Sequence, residues 1–255
     1  MKHGFLIAIL LAAVGPAVAA DEVPLPRARP AEAQAAVDYG IRAVAEPPDQ
    51  ASPCQLRMTE RIVAVFQSMP AIAGPGVCGA PDTVKLETIF LPDNSRVAVS
   101  PPAVLRCTMA EAITHWVREV IAPAVAASGA PLRALDNYGD YECRGRNRVI
   151  GARVSEHGHA NALDIRGFRL ADNRFVGLTD RTVARELREG VRRSVCERFA
   201  TVLGPGSDGY HEDHVHLDLA ERRNNYKLCQ WNVLDPVPEV PLPRPRPSEA
   251  PQREG

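Results

Sequence analysis

Ser155-Glu-His-Gly-His-Ala-Asn-Ala-Leu-Asp164 and His211-Glu-Asp-His-Val-His216 are the two stretches around which the chain is arranged. The sequence contains seven histidines, and five of them lie in these two stretches. Neutral imidazole is the commonest protein ligand for zinc, and a catalytic zinc site takes three protein ligands and keeps a fourth position open. The two stretches together can supply such a ligand set.

The predicted strands bring these side chains to a common place. His214 and His216 are two residues apart at the start of a predicted strand, residues 215–219, and alternate residues of a strand share a face. Asp164 lies on a second predicted strand, residues 162–168, and His157 lies in the loop that leads into it. This pattern favours a metal site carried by two strands.

Several motifs resemble those of known families. Ser155-Glu-His157, followed by Asp164 and later by His214-Val-His216, resembles the pattern of the zinc peptidases grouped with lysostaphin, the D-Ala-D-Ala peptidases and the hedgehog fold. From Cys54 to Cys229 the chain is also similar to the bacterial extensin-like family. The further motifs that carry this second likeness are Cys107-Thr-Met-Ala110, Tyr141-Glu-Cys-Arg144, Ala162-Leu-Asp164, Phe199-Ala-Thr-Val-Leu-Gly-Pro205 and His214-Val-His-Leu-Asp218.

The resemblance and the ligand chemistry together make His157, Asp164 and His216 the expected zinc ligands. Zinc with an open position activates water and polarises a carbonyl, so that a nearby base completes the attack on an amide. The resemblance therefore implies a peptidase.

Two residues compete for the role of that base. Regular strand geometry places His214 on the ligand face and Asp213 on the opposite face, which favours His214. The dipeptidase branch of the resembled peptidases has an acidic residue three positions before its last ligand, where this chain has Asp213. We rank His214 first and keep Asp213 as the alternative.

Arg144, Ser155 and His211 are expected to contact the substrate. Arg144 matches a position that binds a substrate carboxylate or carbonyl in related peptidases, and a guanidinium offers paired donors in one plane. Ser155 is expected to support the same anion or to orient His157. The run from His211 to His216 also resembles that of penicillin-insensitive murein endopeptidases, which implies that His211 holds water and the oxyanion. A loop histidine near the surface is an equally good interpretation of His211.

The two ends of the chain differ from its middle. Residues 1–20 are predicted to be a secretory signal peptide, because an apolar run follows a charged start and small residues precede the expected cleavage point. Residues 21–50 and 236–255 are rich in proline and repeat nearly the same motif, which predicts stiff linkers. Their arginines could instead contact anionic wall polymers or a proline-binding partner. Residues 51–235 remain as one domain.

Six cysteines in a chain with a predicted export signal indicate disulfides. No Cys-x-x-Cys pair is present to suggest a thiolate zinc site. We favour pairing between sequence neighbours because each bond then closes a moderate loop. The predicted disulfides are Cys54–Cys78, Cys107–Cys143 and Cys196–Cys229.

Apolar periodicity predicts three helices and several strands. One helix is capped by Thr59, the second begins with a capping box of Thr108 and Glu111, and the third runs from about residue 180 toward residue 202. The strands are predicted at residues 84–90, 96–99, 149–150, 162–168 and 215–219. Because helices and strands do not alternate regularly, we predict an α+β domain with a small antiparallel sheet that carries the metal site, flanked by helices.

The charge balance gives no reason to expect a nucleic acid partner, since 30 basic and 31 acidic residues give a formal net charge of −1. No segment beyond the signal peptide is long and apolar enough to span a membrane. We therefore predict a monomeric, periplasmic or secreted zinc peptidase that cleaves the stem peptides or cross-links of peptidoglycan, as an endopeptidase or a carboxypeptidase. The alternatives are a non-catalytic cell-wall-binding module that keeps the peptidase fold, and a periplasmic metal-storage protein.

Overall fold

The computed structural model of the protein describes residues 50–60 and 63–235. The predicted signal peptide, the C-terminal tail and all but the last residue of the N-terminal linker lie outside these described residues. Among the described residues, no helix has the length and apolar character that crossing a membrane requires.

The described residues form four α-helices and eleven strands. The helices are α1 (Pro53–Glu60), α2 (Cys107–Trp116), α3 (Ala122–Ala126) and α4 (Arg185–Arg198). The strands are β1 (Ala64–Met69), β2 (Ile72–Ala73), β3 (Gly79–Ala80), β4 (Thr83–Phe90), β5 (Arg96–Arg106), β6 (Leu132–Gly139), β7 (Ala162–Leu170), β8 (Phe175–Gly177), β9 (Thr201–Leu203), β10 (Val215–Asp218) and β11 (Leu228–Gln230).

One nine-stranded sheet dominates the described residues. Its order is β1-β4-β5-β6-β7-β10-β9-β11, and β8 pairs with β7. The neighbouring pairs are antiparallel except β5 with β6 and β9 with β11, which are parallel. The predicted α+β class is confirmed, but the sheet is larger than predicted and is mixed rather than antiparallel.

The strand β6 was missed for a physical reason. It lies in the middle of the sheet, and its third to sixth residues are all buried, so its sequence does not alternate between apolar and polar. Asp136, Asn137 and Gly139 are residue types that strands disfavour. The predicted strand at residues 149–150 is wrong, because these residues lie in and beside a turn where Ile150 is fully exposed.

The hydrophobic core lies between the sheet and the helices. Trp116 of α2 is fully buried, with its ring 6.2 Å from that of Phe168 on β7 and 6.0 Å from that of Phe199. Its indole N–H donates to the hydroxyl of Ser194 on α4 at 3.0 Å. Each aromatic pair at such distances contributes about 0.5–1.5 kcal/mol beyond burial. The cluster holds α2 and α4 on one face of the sheet.

The pairing of β7 with β10 positions the predicted metal ligands. The two strands are antiparallel, with Asp164 opposite His216 and Leu163 opposite Leu217. Leu163 and Leu217 belong to the core, so Asp164 and His216 project from the other face of the sheet. The predicted strands at residues 162–168 and 215–219 are confirmed, with ends at Leu170 and Asp218.

The helix predicted to start at Thr59 is wrong. The chain is helical before this residue, where the hydroxyl of Ser52 accepts the backbone N–H of Gln55 at 3.1 Å. Residues 64–69 form β1, in which exposed and less exposed positions alternate at first. The spacing of apolar residues in this segment, three and four apart, is typical of a helix. The segment forms a strand instead because it pairs with β4. Ile62 of the predicted apolar face lies outside the described residues.

The helix predicted around Thr108 is confirmed as α2, without its capping box. The helix begins one residue earlier, at Cys107, and no side chain caps it by a hydrogen bond. Glu111 instead accepts two hydrogen bonds from the guanidinium of Arg57, at 2.8 and 2.7 Å. This pair joins α1 to α2.

The third predicted helix is confirmed as α4 and is shorter than expected. The carboxylate of Asp180 accepts the backbone N–H of Thr182 at 2.8 Å, so the chain turns there before the helix begins at Arg185. The helix ends at Arg198 because residues 201–203 pair with β10 as β9.

Three disulfides crosslink the described residues, and only one of the predicted pairings is confirmed. The bonds are Cys54–Cys107, Cys78–Cys143 and Cys196–Cys229. The predicted pairs Cys54–Cys78 and Cys107–Cys143 are wrong. Packing of α1 on α2 brings Cys54 to Cys107, and the β2–β3 turn meets the segment after β6, so spatial neighbours are not sequence neighbours.

We expect mass spectrometry of a non-reduced digest to recover the three linked peptide pairs and no free thiol. Replacing Cys78 and Cys143 together by Ser should lower the free energy of unfolding by about 4 kcal/mol on a chain-entropy basis. The bond closes a loop with a sequence separation of 65, and denaturant titration measures the loss. A linked Cys54–Cys78 peptide would contradict the connectivity.

Candidate metal centre

Three predicted ligands meet on the face of the sheet away from the helices. His157 comes from a 3₁₀ turn before β7, Asp164 from β7 and His216 from β10. Nε2 of His157 lies 3.1 Å from Nδ1 of His216 and 3.2 Å from Oδ1 of Asp164. Nδ1 of His216 lies 2.8 Å from the same carboxylate oxygen. All three side chains are buried.

The outward nitrogen of each histidine has its own acceptor. Nδ1 of His157 donates to the backbone carbonyl of Asp140 at 2.6 Å, and Nε2 of His216 donates to the carboxylate of Asp218 at 3.1 Å. In the neutral imidazoles these bonds place the proton on the outward nitrogen and leave the inward nitrogen with a lone pair. Such outer partners orient metal-binding histidines.

The donor set fits zinc. Two imidazole lone pairs and one carboxylate oxygen point at a common centre, and their separations are close to the roughly 3.3 Å expected between ligands of tetrahedral zinc. Without a cation these lone pairs would repel one another. A second group, Cys54, Asp82 and Cys107, has no thiolate to offer because its two sulfurs form a disulfide.

The protonation of the metal-free site follows from the same contacts. Burial disfavours the charged form of His216, but hydrogen bonds to Asp164 and Asp218 outweigh it and raise the pKa to about 9. Burial likewise opposes ionisation of Asp164, and its contacts with the imidazoles of His157 and His216 nevertheless hold its pKa far below the ordinary value. In the absence of metal, a proton on His216 therefore occupies the centre.

His214 lies beside the ligands and is not one of them. Its Nε2 is 3.7 Å from Oδ2 of Asp164, while its Nδ1 is 2.7 Å from Oδ1 of Asp213. The Asp213 side chain is 66% exposed and also accepts the hydroxyl of Tyr138 at 3.2 Å. The hydrogen bond from His214 lowers the pKa of Asp213. His214 thus faces the centre, and Asp213 stands behind it.

His211 is buried against the other histidines. Its ring centre is 5.1 Å from that of His214 and 5.7 Å from that of His216. Nδ1 donates to Asp208 at 2.7 Å, and Asp208 is also held by the amide of Asn147 at 3.0 Å. Burial lowers the pKa of His211, although Asp208 opposes this effect. A neutral His211 bonded in this way presents a bare Nε2, which accepts a hydrogen bond rather than donating one.

Arg144 approaches the centre from the cleft. One terminal nitrogen of its guanidinium lies 3.8 Å from Oδ2 of Asp164, and its Nε donates to Glu142 at 2.9 Å. Arg148 donates to the same Glu142. The terminal nitrogens of Arg144 are therefore held at the cleft by a carboxylate that is not a ligand.

Ser155 supports the backbone of the site. Its N–H donates to the carbonyl of Arg144 at 3.0 Å, and its carbonyl accepts the N–H of Gly158 at 2.9 Å. These two bonds connect the segment of Arg144 to the turn that carries His157. Both bonds are made by the backbone, so the role predicted for the Ser155 side chain stays a prediction.

Two cavities flank the centre. A cleft of about 610 Å³ is lined by Tyr138, Arg144, Tyr210 and His214, among others. A smaller cavity of about 220 Å³ is lined by Ser155, His216 and Asp218, among others. Both share His157, His211, Arg144 and Asn147, so the ligands can be approached from two sides.

All eight residues predicted for the site lie around this centre, and four others were missed. The missed residues are Tyr138, Asp140, Asp208 and Asp218. Asp218 could have been found, because it follows His216 by two positions on a predicted strand and shares its face. Tyr138 and Asp140 lie at the end of β6, which the sequence did not predict.

We expect zinc binding near pH 7.5 to release about one proton per ion from His216, in addition to any proton that zinc-bound water releases. His216, with a pKa of about 9, is charged at this pH in the metal-free protein, and only its neutral form offers a lone pair at Nδ1. Titration calorimetry in buffers of different ionisation enthalpy counts the protons, and the number should fall once the pH passes the pKa. Heats that do not depend on the buffer would show that His216 is already neutral.

The family model described as extensin-like protein C-terminus matches residues 52–230, a range that includes every candidate site residue. No curated protein and no solved structure matches the chain. The match covers well over half of the 255 residues. The chain therefore belongs to the extensin-like protein C-terminus family.

Proposed function

We propose that this protein is a zinc-dependent peptidase that hydrolyses peptide bonds in peptidoglycan stems or cross-links, outside the cytoplasmic membrane. One observation carries the proposal: three ligand atoms converge beside an unligated imidazole at the base of an open cleft. A storage site would not need an unligated base beside its ligands, and a binding module would need the cleft but not that base. The substrate class follows from the resemblance to zinc peptidases of the cell wall.

The ion and the protein would divide the chemistry between them. A zinc ion held by His157, Asp164 and His216 would polarise the scissile carbonyl and activate water. The chain itself must then accept and return a proton, neutralise charge on the carbonyl oxygen, and hold the peptide in line.

His214 is suited to the proton transfer. Its Nδ1–H is bonded to Asp213, so its Nε2 carries the lone pair and faces the centre. Asp213 stabilises the imidazolium that forms when Nε2 takes a proton, in the way a carboxylate supports a catalytic histidine elsewhere. Asp213 itself lies behind the ring and is well exposed, so we assign it to orientation and keep it as the alternative base.

Arg144 is suited to the developing negative charge. Its terminal nitrogens are the positively charged donors at the cleft that lie nearest to Asp164, and a guanidinium binds a carbonyl or carboxylate with paired donors. His211 presents an acceptor, so in the proposed mechanism it holds water and Arg144 binds the oxyanion. Together Arg144 and Arg148 offer charge to the carboxylates of stem peptides.

The direct experiment is incubation of purified peptidoglycan fragments with zinc-loaded protein, followed by mass spectrometry of the products. Pairs of new fragments whose masses add up to that of the substrate plus one water would locate the cleaved bond. Chelated protein is the matched control. Wall binding without any product, at full zinc loading, would replace the enzyme by the non-catalytic wall-binding module.

We expect His214→Ala to keep its zinc and its fold while turnover falls by roughly 10²–10⁴, the usual contribution of general acid–base catalysis. His157→Ala, Asp164→Ala and His216→Ala should each lose zinc, because they remove a ligand. Elemental analysis and the fragment assay separate the two classes of variant.

Asp213→Asn is the comparison that assigns the base. A smaller loss than in His214→Ala fits an orienting carboxylate, whereas a larger loss would transfer the role of base to Asp213. Full zinc content in all three ligand variants would exclude this site as the zinc centre.

A further inference from the structure

Tyr138, on β6, contacts the His214–Asp213 pair, which lies just before β10 on the other side of β7. We propose that Tyr138 is a positioning residue that, through Asp213, holds His214 with Nδ1 protonated and Nε2 directed at the metal centre. This inference rests on the proposed function for its catalytic consequence. The contacts that carry it do not depend on which bond is cleaved.

The hydrogen bonds form a short relay. The hydroxyl of Tyr138 donates to Oδ2 of Asp213 at 3.2 Å, and Oδ1 of the same carboxylate accepts Nδ1–H of His214 at 2.7 Å. Nε2 of His214 then lies 3.7 Å from Asp164. The carboxylate of Asp213 therefore links the phenol of Tyr138 to the imidazole of His214. The position of the phenol thus influences where Nε2 of His214 points.

Asp213 needs a second contact to hold this position. The side chain is 66% exposed, so water competes for both of its oxygens. It precedes His214 directly in the chain, ahead of β10, where no strand pairing restrains it. Tyr138 lies near the end of β6, at an irregularity between two residues that both pair with β7. The phenol ties an exposed carboxylate to a rigid element.

The ring of Tyr138 also touches His214 directly. The ring centres are 4.8 Å apart with an interplanar angle of 41°. The guanidinium carbon of Arg166 lies 5.0 Å from the centre of the tyrosine ring, and Arg166 is itself bonded to the buried Asp136 at 2.9 Å. The ring is thus held by a cation that is anchored in the sheet. Tyr138 therefore restrains the imidazole of His214 in two ways, by direct ring contact and through the carboxylate of Asp213.

The pKa shifts of Tyr138 and Asp213 agree with a hydrogen bond that the phenol donates and the carboxylate accepts. The hydrogen bond to Asp213 raises the pKa of Tyr138, so the phenol stays protonated and remains a donor. The hydrogen bond from His214 lowers the pKa of Asp213, so the carboxylate stays ionised and remains an acceptor. Neither group has to change its charge for the relay to hold.

The competing role for Tyr138 is contact with substrate, since the residue is 46% exposed and lines the cleft. Tyr210 provides the matched control. It lines the same cleft and is 57% exposed, and within the described part of the chain its hydroxyl has no hydrogen-bond partner. A cleft tyrosine without the relay should not affect the imidazole of His214.

The experiment compares Tyr138→Phe, Tyr210→Phe, Asp213→Asn and the double variant of Tyr138 and Asp213. The first readout is the tautomer of His214 in the zinc-loaded protein, from two-bond ¹H–¹⁵N correlations of the imidazole. The second is kcat and KM on the peptidoglycan fragment that the wild type cleaves. Circular dichroism and zinc content confirm that each variant is folded and loaded.

We expect Tyr138→Phe to reduce the Nδ1-protonated population of His214 and to lower kcat about tenfold with little change in KM, since a hydrogen bond to a charged group is lost. Tyr210→Phe should leave the tautomer unchanged. In the Asp213→Asn background, Tyr138→Phe should have little further effect, because the relay is already broken.

An unchanged His214 tautomer in Tyr138→Phe would overturn the inference. The same loss of kcat with and without Asp213 would also overturn it, as would a loss confined to KM. If the wild type cleaves no fragment, the proposed peptidase function fails, and the tautomer measurement still decides whether Tyr138 positions His214.

Discussion

The antiparallel register that sets Asp164 opposite His216 is the constraint on which the rest of the site depends. A shift of β10 by one residue relative to β7 would turn His216 into the core and expose Leu217 on the opposite face. Leu163 and Leu217 prevent this shift, because burial of each such side chain is worth about 1.5–3 kcal/mol. The core on one face of the sheet therefore fixes the candidate metal ligands Asp164 and His216 on the other.

The third ligand is held by loops rather than by the sheet. His157 lies in a turn that ends at Ala160, a non-glycine residue in the left-handed region with φ of 50°. That conformation costs roughly 1–2 kcal/mol. The Ala160 carbonyl accepts the N–H of Arg106 at 2.6 Å, which ties the turn to the end of β5. A Cβ on Gly158 would lie 3.1 Å from a sulfur of the Cys78–Cys143 bond, so that disulfide packs directly beneath the ligand turn.

The sequence predicted which side chains of the candidate site lie together better than it predicted the frame around them. His157, Asp164 and His216 were expected to meet because of their ligand chemistry and the resemblance, and the structure brings them together. The frame could not be found in the same way, because β6 is buried along its middle and carries residues that strands disfavour. Tyr138 was not identified as a site residue because it lies on that strand. The two wrong disulfides have a related cause, since helix and loop packing decides which sulfurs meet and sequence spacing does not record it.

His214 and Asp213, the two candidate bases between which the sequence did not decide, occupy different positions in the structure. Strand geometry predicted that the two side chains would point apart, and they do, with the carboxylate bonded to the far nitrogen of the ring. An acidic residue at this position can therefore serve catalysis without reaching the centre itself.

The stability of the fold alone does not explain the buried cluster of His157, Asp164 and His216. Ionised groups lose hydration on burial, and apolar residues of similar size often serve a core equally well or better. Here the outward nitrogens of both imidazoles are satisfied by acceptors, while the inward atoms converge on one point. Such an arrangement stabilises whatever positive charge lies at that point. The raised pKa of His216 reflects this stabilisation, and a dication held at the same point would carry more charge and would be accessible from the cleft.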